Sequence, residues 1–233
     1  MFKFSIIIPV FKEAGIINNS IKDILDKFRT EKFEIIVVDG ENNGSTINTI
    51  NTGYANIKKS ISGKNRAKQM NAGASVSEGD VLLFLHADCA LPENALDQIK
   101  NVFDSDPDTA AGAFNLKIDS NKIIFKIISK LSSLRARITK IPYGDQSIFI
   151  RKDYFLKLGG YRELPLMEDA DLMRRIKKNK GKINILPAGV TASPRRWEKE
   201  GILYYTLKNW LITILYFLGA HPEKLKKLYY RGE

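Results

Sequence analysis

One cysteine, Cys89, stands in 233 residues, so no disulfide can close within the chain. That fits a reducing compartment and sets a cytoplasmic expectation. No Gly/Ser/Pro-rich linker, internal repeat or low-complexity tract interrupts the sequence. At this length their absence favours one compact domain over a string of small ones. Long hydrophobic runs are missing too. The apolar stretch Ile6 to Val10 meets Lys12 and Glu13 at once, and reads as a strand and not as a signal peptide. The longest uncharged run of the tail, Asn209–Ala220, is shorter than the roughly 20 residues of a membrane-spanning helix. The first loop, Pro9-Val10-Phe11-Lys12-Glu13-Ala14-Gly15, holds neither a G-x-G-x-x-G nor a P-loop, which excludes both of those phosphate cradles. Zinc-finger, RRM and helix-turn-helix signatures are absent, so nucleic acid is not an expected partner.

What is present begins with charge. The formal net charge is +11 and 44% of the residues are hydrophobic. A globular, strongly basic chain has a phosphorylated substrate or an anionic membrane for a partner, or is lysine-rich with no partner at all. Ser5–Val10 and Glu34–Asp39 are β-branched runs bounded by turn residues, and read as buried parallel strands. Ile16 to Phe28 lies between them with helical spacing, completing a βαβ unit. Further helices are expected over Asn65–Val76, Pro92–Phe103, Asp153–Leu158 and Asp169–Lys178, and further strands over Val81–Leu85, Ala111–Ile118, Ser147–Arg151 and Ile183–Leu186. Ile123–Ile138 is amphipathic, with apolar residues at 124, 127, 128, 131, 134 and 138 and basic residues on its other face. Core packing and an interfacial seat on a membrane both suit that pattern. From Gly201 the tail is helical and apolar. The fold class is therefore α/β, a mostly parallel sheet flanked by helices.

In open α/β sheets ligands gather beyond the carboxyl ends of the strands. Asp39 ends the second strand, and Asp88 follows Val81–Leu85 by three residues. A carboxylate there can accept from a base or ribose, hold a divalent cation, or simply cap its loop. Glu168, Asp169 and Asp171 cluster at a helix start, where the helix dipole alone favours acids. Arg195, Arg196 and Trp197 follow Pro194; two guanidiniums can clamp a diphosphate and a Trp can stack on a sugar or base, or the Trp can be core.

Six runs, in order, resemble family 2 glycosyltransferases. They are Ser5–Glu13, Ile36–Gly40, Arg66–Gly73 with Asn71, Gly79–Asp88 in the place of D-x-D, Gly144-Asp145-Gln146 with Glu168-Asp169, and Arg196-Trp197 at the end of Q-x-x-R-W. The likeness runs from Ser5 to about Trp197. His86-Ala87-Asp88, Pro142–Gln146 and Arg195–Glu198 are most similar to the short subgroup called arsenosugar-biosynthesis or radical-SAM-associated glycosyltransferases. The sequence departs from the pattern at three places. His86 replaces the first Asp of D-x-D, making that position an imidazole ligand or an outer contact. The loop after Asp39 lacks the usual second acid. Ser193 replaces the Gln of Q-x-x-R-W, which argues against a processive polymerase with a membrane channel.

The resemblance implies a GT-A fold over residues 1–200, with 201–233 a helical tail packed on or extending it. It implies an inverting transfer from a nucleotide-diphosphate sugar, with UDP favoured, to a small-molecule or lipid-linked acceptor hydroxyl. Asp39 would hold the nucleobase, Pro9 and Glu13 would shape the base and ribose pocket, and Arg66 would sit by base or phosphate. Asp88, with His86, would hold Mg²⁺ or Mn²⁺ against the diphosphate. Gly144, Asp145, Gln146, Glu168, Arg195, Arg196 and Trp197 would bind substrate, and Asp169 would be the general base. Peripheral contact with the inner face of an anionic membrane is compatible with the basic helix and apolar tail. Two other readings are a nucleotide-sugar-binding protein without catalysis, motivated by His86, and a sugar-nucleotide pyrophosphorylase. The second needs a Gly-rich basic loop after the first strand, which Pro9–Gly15 does not supply.

Overall fold

The computed structural model describes residues 2–51, 53–54 and 57–230. Residue 1 and, in the expected tail, residues 231–233 lie outside the described residues. Eight strands form one sheet in the order β3-β2-β1-β4-β7-β6-β8-β5. They are β1 Phe4–Val10, β2 Phe33–Asp39, β3 Ile57–Ile61, β4 Val81–Phe84, β5 Cys89–Ala90, β6 Thr109–Ile118, β7 Phe149–Arg151 and β8 Lys182–Ala192. β3, β2, β1 and β4 run parallel; β7 is antiparallel to β4 and β6, β6 and β8 are parallel, and β5 is antiparallel to β8.

The sheet is buried on both faces, which is why β1 and β2 are nearly continuous in Ile and Val. Phe4, Ile6 and Ile8 enter one core, and Ile7 with Ile36 and Val38 enters the other. Helix α1, Ile17–Lys27, covers the first side through Ile17, Ile21 and Ile24. Helix α2, Arg66–Ser75, covers the second; the Asn65 side chain accepts from Lys68 N–H and starts it. A Cβ at Gly73 would lie 2.5 Å from Ile7 Cγ2, so glycine lets α2 approach β1. Buried Gln69 donates to Val10 O and Val38 O at 2.7 and 2.9 Å, pinning the two strand ends that open toward the site.

Helices α3 (Ala95–Ser105), α4 (Ile123–Thr139), α5 (Lys152–Lys157) and α6 (Glu168–Lys178) complete the layers. The tail divides into α7 (Arg195–Glu200), α8 (Ile202–Phe217) and α9 (Pro222–Tyr229). Ile212, Tyr216 and Leu225 are buried in the α2 side of the core.

Several expected boundaries move. α3 begins at Ala95, after a turn from Pro92 whose carbonyl accepts from Ala95 N–H. β8 extends past Leu186 to Ala192, because a register shift against β6 between Phe114 and Asn115 absorbs the Pro187 segment. For α4 the structure decides between the two seats left open. Its core face is Phe125, Ile128, Ser133 and Ala136, while the apolar residues at 127, 131, 134 and 138 are exposed. Ser133 replaces hydrophobic packing with a hydrogen bond, its Oγ accepting from Leu116 N–H at 3.0 Å.

Candidate active site

A cavity of about 410 Å³ lies beyond the β4 end of the sheet, between the Gly144 turn, the start of α6, and helices α4 and α8. Its size is that of a small-molecule pocket. Arg66, His86, Asp88, Gly144, Asp145, Glu168, Asp169, Arg196 and Trp197 all line it. Residues far apart in the chain meet there because α2, β4, the turn and α6 all end on this edge.

Asp88 owes its place to the short β5–β8 pairing. Ser193 N–H donates to Asp88 O at 3.0 Å, which sets Arg195 beside the Asp88 carboxylate. Arg195 Nε donates to Asp88 Oδ2 at 3.0 Å, and its Nη1 donates to Glu13 Oε2 at 2.8 Å. The guanidinium thus ties the first-strand loop to the β4 loop. Burial works against the Asp88 carboxylate, but the Arg195 and Arg196 guanidiniums beside it hold the pKa below the usual range.

His86, Asp88 and Cys89 each bring one donor atom within 4.8 Å of the others. Burial, and then the Arg66 charge, push the His86 pKa down to about 3. Its imidazole is neutral and keeps a lone pair for a cation. Burial raises Cys89 well above the ordinary thiol range, so it stays a thiol, which is a poor partner for a hard ion. The donor set therefore fits Mn²⁺ or Mg²⁺ through Asp88 and His86, with remaining positions left to phosphate oxygen and water.

Asp169 faces the cavity from the first turn of α6. Its Oδ2 accepts from Gly144 N–H at 2.7 Å and its Oδ1 from Ala170 N–H at 2.7 Å. Met167, just before the helix, has φ 68°, a left-handed conformation that side chains other than glycine rarely adopt. Glu168 is buried with its Oε1 3.6 Å from Arg66 Nη1. Burial dominates and lifts its pKa to about 7. Burial also raises Asp145, to about 6. Asp171 faces away from the cavity and pairs with Arg175 at 2.7 Å and Arg162 at 3.3 Å.

Five expected site residues lie outside this cavity lining: Pro9, Glu13, Asp39, Gln146 and Arg195. Glu13 and Arg195 reach it through Asp88. Asp39 is fully buried, and its carboxylate accepts from Glu41, Thr46 and Ile47 N–H at 2.9, 2.8 and 3.2 Å. Those donors make Asp39 the fixed point of the loop from Glu41 to Ile47. Gln146 is fully buried too, donating to Phe114 O at 2.9 Å and accepting from Tyr143 N–H at 3.3 Å. It holds the turn. Trp197 is core on one side, edge-on to Phe125 and Tyr205, with Nε1 donating to Thr206 Oγ1 at 3.1 Å.

Sequence reasoning missed the α4 and α8 walls. Arg135 stacks over the Tyr143 ring at 3.7 Å, and Tyr143 OH donates to Thr213 Oγ1 at 2.9 Å. Tyr143 belongs to a run read from the sequence; Asn209, Trp210 and Thr213 lie beyond the last such run and carried no signal.

A family model described as Glycosyl transferase family 2 matches residues 5–158. The chain is 26% identical over 227 residues to "Probable glycosyltransferase YdaM" of Bacillus subtilis (strain 168), covering 85% of this chain and 51% of that protein. It is 27% identical over 157 residues to poly(ribitol-phosphate) beta-N-acetylglucosaminyltransferase TarP of Staphylococcus aureus (strain N315), covering 64% and 46%. The chain thus spans about half the length of these curated relatives. Mannosyltransferase PcManGT from Pyrobaculum calidifontis, solved in complex with GDP-Man and Mn²⁺, shares the fold with a TM-score of 0.68 at 16% identity, over 98% of this chain and 68% of that one.

Proposed function

The chain belongs to glycosyl transferase family 2, and from that premise we propose that it moves a sugar from a nucleotide-diphosphate donor to an acceptor hydroxyl, inverting the anomeric carbon. The observation that carries the reading is the convergence of Asp88, His86 and Asp169 on one cavity. Arg66 and Arg196 line the same space and favour a diphosphate. A Mg²⁺ or Mn²⁺ held by Asp88 and His86 would stabilise charge on the departing diphosphate.

Asp169 is the general base of this reading. As the acceptor oxygen bonds to the anomeric carbon, Asp169 takes its proton. The bond from that carbon to the donor phosphate oxygen breaks, and its electron pair leaves with the nucleoside diphosphate. The Gly144 N–H that binds Oδ2 keeps the carboxylate aimed. Pro9, Glu13 and the loop fixed by Asp39 frame the base and ribose; Gly144 and Asp145 stand on the acceptor side. On this reading residues 1–200 are the transferase domain, and the described tail, α8 and α9, extends it.

The preference for UDP, the arsenosugar-type subgroup, a small or lipid-linked acceptor and a cytoplasmic place belong to this proposal. The subgroup rests on three short runs alone. The solved mannosyltransferase is in complex with GDP-Man, so the assay uses both bases. Calorimetry with UDP and GDP, with and without Mn²⁺, is expected to show metal-dependent binding of one, UDP on the present reading. Asp88→Ala is expected to abolish the metal dependence and leave the fold intact. Unchanged metal dependence in that variant would remove Asp88 from the ligand set. Donor hydrolysis by the wild type separates an enzyme from a binding protein.

A further inference from the structure

Helix α4 turns its more hydrophobic face outward. Ile123, Ile127, Leu131, Leu134 and Ile138 are 73%, 49%, 42%, 50% and 72% exposed. At ~100° per residue these five fall within about a quarter of the helix circumference. On one flank of the stripe, Ile128, Ser132 and Arg135 line the cavity. On the other flank stand Lys126, Lys130 and Arg137. No acid occurs from Asn121 to Lys140.

Helix α8 repeats the arrangement on the same cavity. Leu203, Leu207, Trp210, Leu211, Ile214 and Phe217 are exposed, and Trp210 and Ile214 also line the cavity. Lys208 is the one charged residue of the helix. Helix α9 follows with Lys224, Lys226 and Lys227 exposed. So many large apolar side chains on the outward faces of two helices that wall one cavity exceed the scattered exposure of ordinary protein surface.

The structure assigns this surface a partner: we propose that the outward faces of α4 and α8 seat on an anionic lipid bilayer. The apolar stripe enters the acyl boundary while the lysine flank meets acidic headgroups. Trp210 and Tyr204, both exposed, have the amphipathic rings that settle at such an interface. No helix among the described residues is long and apolar enough to cross a membrane, so the contact is interfacial. A second copy of the chain fits the surface less well. A twofold interface would bring one lysine flank against its own kind, with no acid on α4 to answer it. The seat opens the cavity toward the lipid surface, yet it stands independently of the transferase reading.

The test is co-sedimentation with phosphatidylcholine vesicles, with and without phosphatidylglycerol, at low and moderate salt. The wild type is expected to bind only the phosphatidylglycerol vesicles, several-fold less at moderate salt. Leu134→Glu combined with Leu207→Glu is expected to lower that partition about tenfold or more, since each Leu loses its burial in lipid. Neither residue lines the cavity, so nucleotide affinity is expected to stay at the wild-type value. Absence of wild-type binding at both salts overturns the proposal, as does wild-type partition in the double variant. A concentration-dependent dimer that the double variant abolishes, without vesicle binding, overturns it in favour of a second copy.

Discussion

Glu168 and Asp169 adjoin in the chain, and at a helix start ~100° per residue turns their carboxylates apart. Asp169 faces the cavity, and one of its oxygens accepts from the Gly144 N–H. Glu168 is 5% exposed beside Arg66. The two cannot do one job. Asp169→Asn keeps the size and can still accept the Gly144 N–H, but takes no proton. Losing a general base costs about 10²–10⁴ in rate, so kcat is expected to fall by that order while donor affinity holds. If Glu168→Gln or Asp171→Asn shows that loss and Asp169→Asn does not, the base is misassigned. Asp171→Asn instead breaks the pair with Arg175, whose guanidinium also holds Leu158 O and Gly160 O. Its cost falls on stability. Glu168 makes a separate prediction about pH. Its pKa is raised from 4.5 to about 7 by burial, so between those values the folded protein keeps a proton that the unfolded chain has lost. The stability this group contributes is full below about pH 4.5 and is lost as pH rises through about 7. At 1.36 kcal/mol per pKa unit the effect is on the order of 3 kcal/mol. Asp145, raised to about 6, acts in the same direction. Glu168→Gln stays neutral throughout, so its stability is expected to vary less across that window. Denaturant titrations at pH 5 and pH 8 measure the slope; an unchanged slope in the variant would exclude Glu168 as its source.

At the scale of elements, the Gly144–Gln146 turn sets the spacing of the site. A Cβ on Gly144 would lie 2.7 Å from His86 Nε2 and 3.6 Å from Asp169 Oδ2. Gly144→Ala must push the imidazole or the turn, and such overpacking costs about 1–3 kcal/mol. The variant is expected to fold, and to lose metal-dependent nucleotide affinity about tenfold or more, read by the same calorimetry. Wild-type metal dependence would mean that the turn has slack. Elements differed in how plainly the sequence showed them. β1, β2 and β4 were legible because burial on both faces demands unbroken apolar runs. β3, Ile57–Ile61, was not: it is an edge strand with Lys58 and Lys59 at its centre. β5 has two residues, too few for any period, yet it places Asp88 against Arg195. For α4 the period was legible, and the sequence left open whether its apolar stripe meets the core or a membrane. Periodicity separates two faces of a helix but does not say which medium each one meets, and Ser133 reads as polar surface although it is buried. In the site, acids at strand and helix ends were legible from position alone. That Asp39 and Gln146 are filled by backbone partners depends on loop paths that no local pattern records.

Across the whole molecule, the question is whether the tail is a cover or part of the body. Leu225 of α9 is fully buried among residues of the α2-side core, along with Ile212 and Tyr216 of α8. Trp197 packs edge-on against Tyr205, and the Tyr205 and Tyr229 hydroxyls share a hydrogen bond of 2.9 Å. Tyr143 OH bonds Thr213 across the cavity. Contacts of this kind link α8 and α9 both to the sheet and to the substrate side, so they are expected to unfold together with it. Leu225→Ala removes a buried side chain, for which the usual cost is about 2–5 kcal/mol. If the tail is part of one cooperative unit, that cost lowers the midpoint seen by every probe equally. Tryptophan fluorescence reports on Trp197 and Trp210, both beside the cavity; far-ultraviolet dichroism reports on the whole helix and strand content. The two are expected to give one coincident urea transition in the wild type and one in Leu225→Ala, shifted to lower urea with the same slope. An early fluorescence step that leaves the dichroism transition in place would mean that α8 and α9 melt by themselves. The cavity wall they supply would then be a separable lid on the transferase fold.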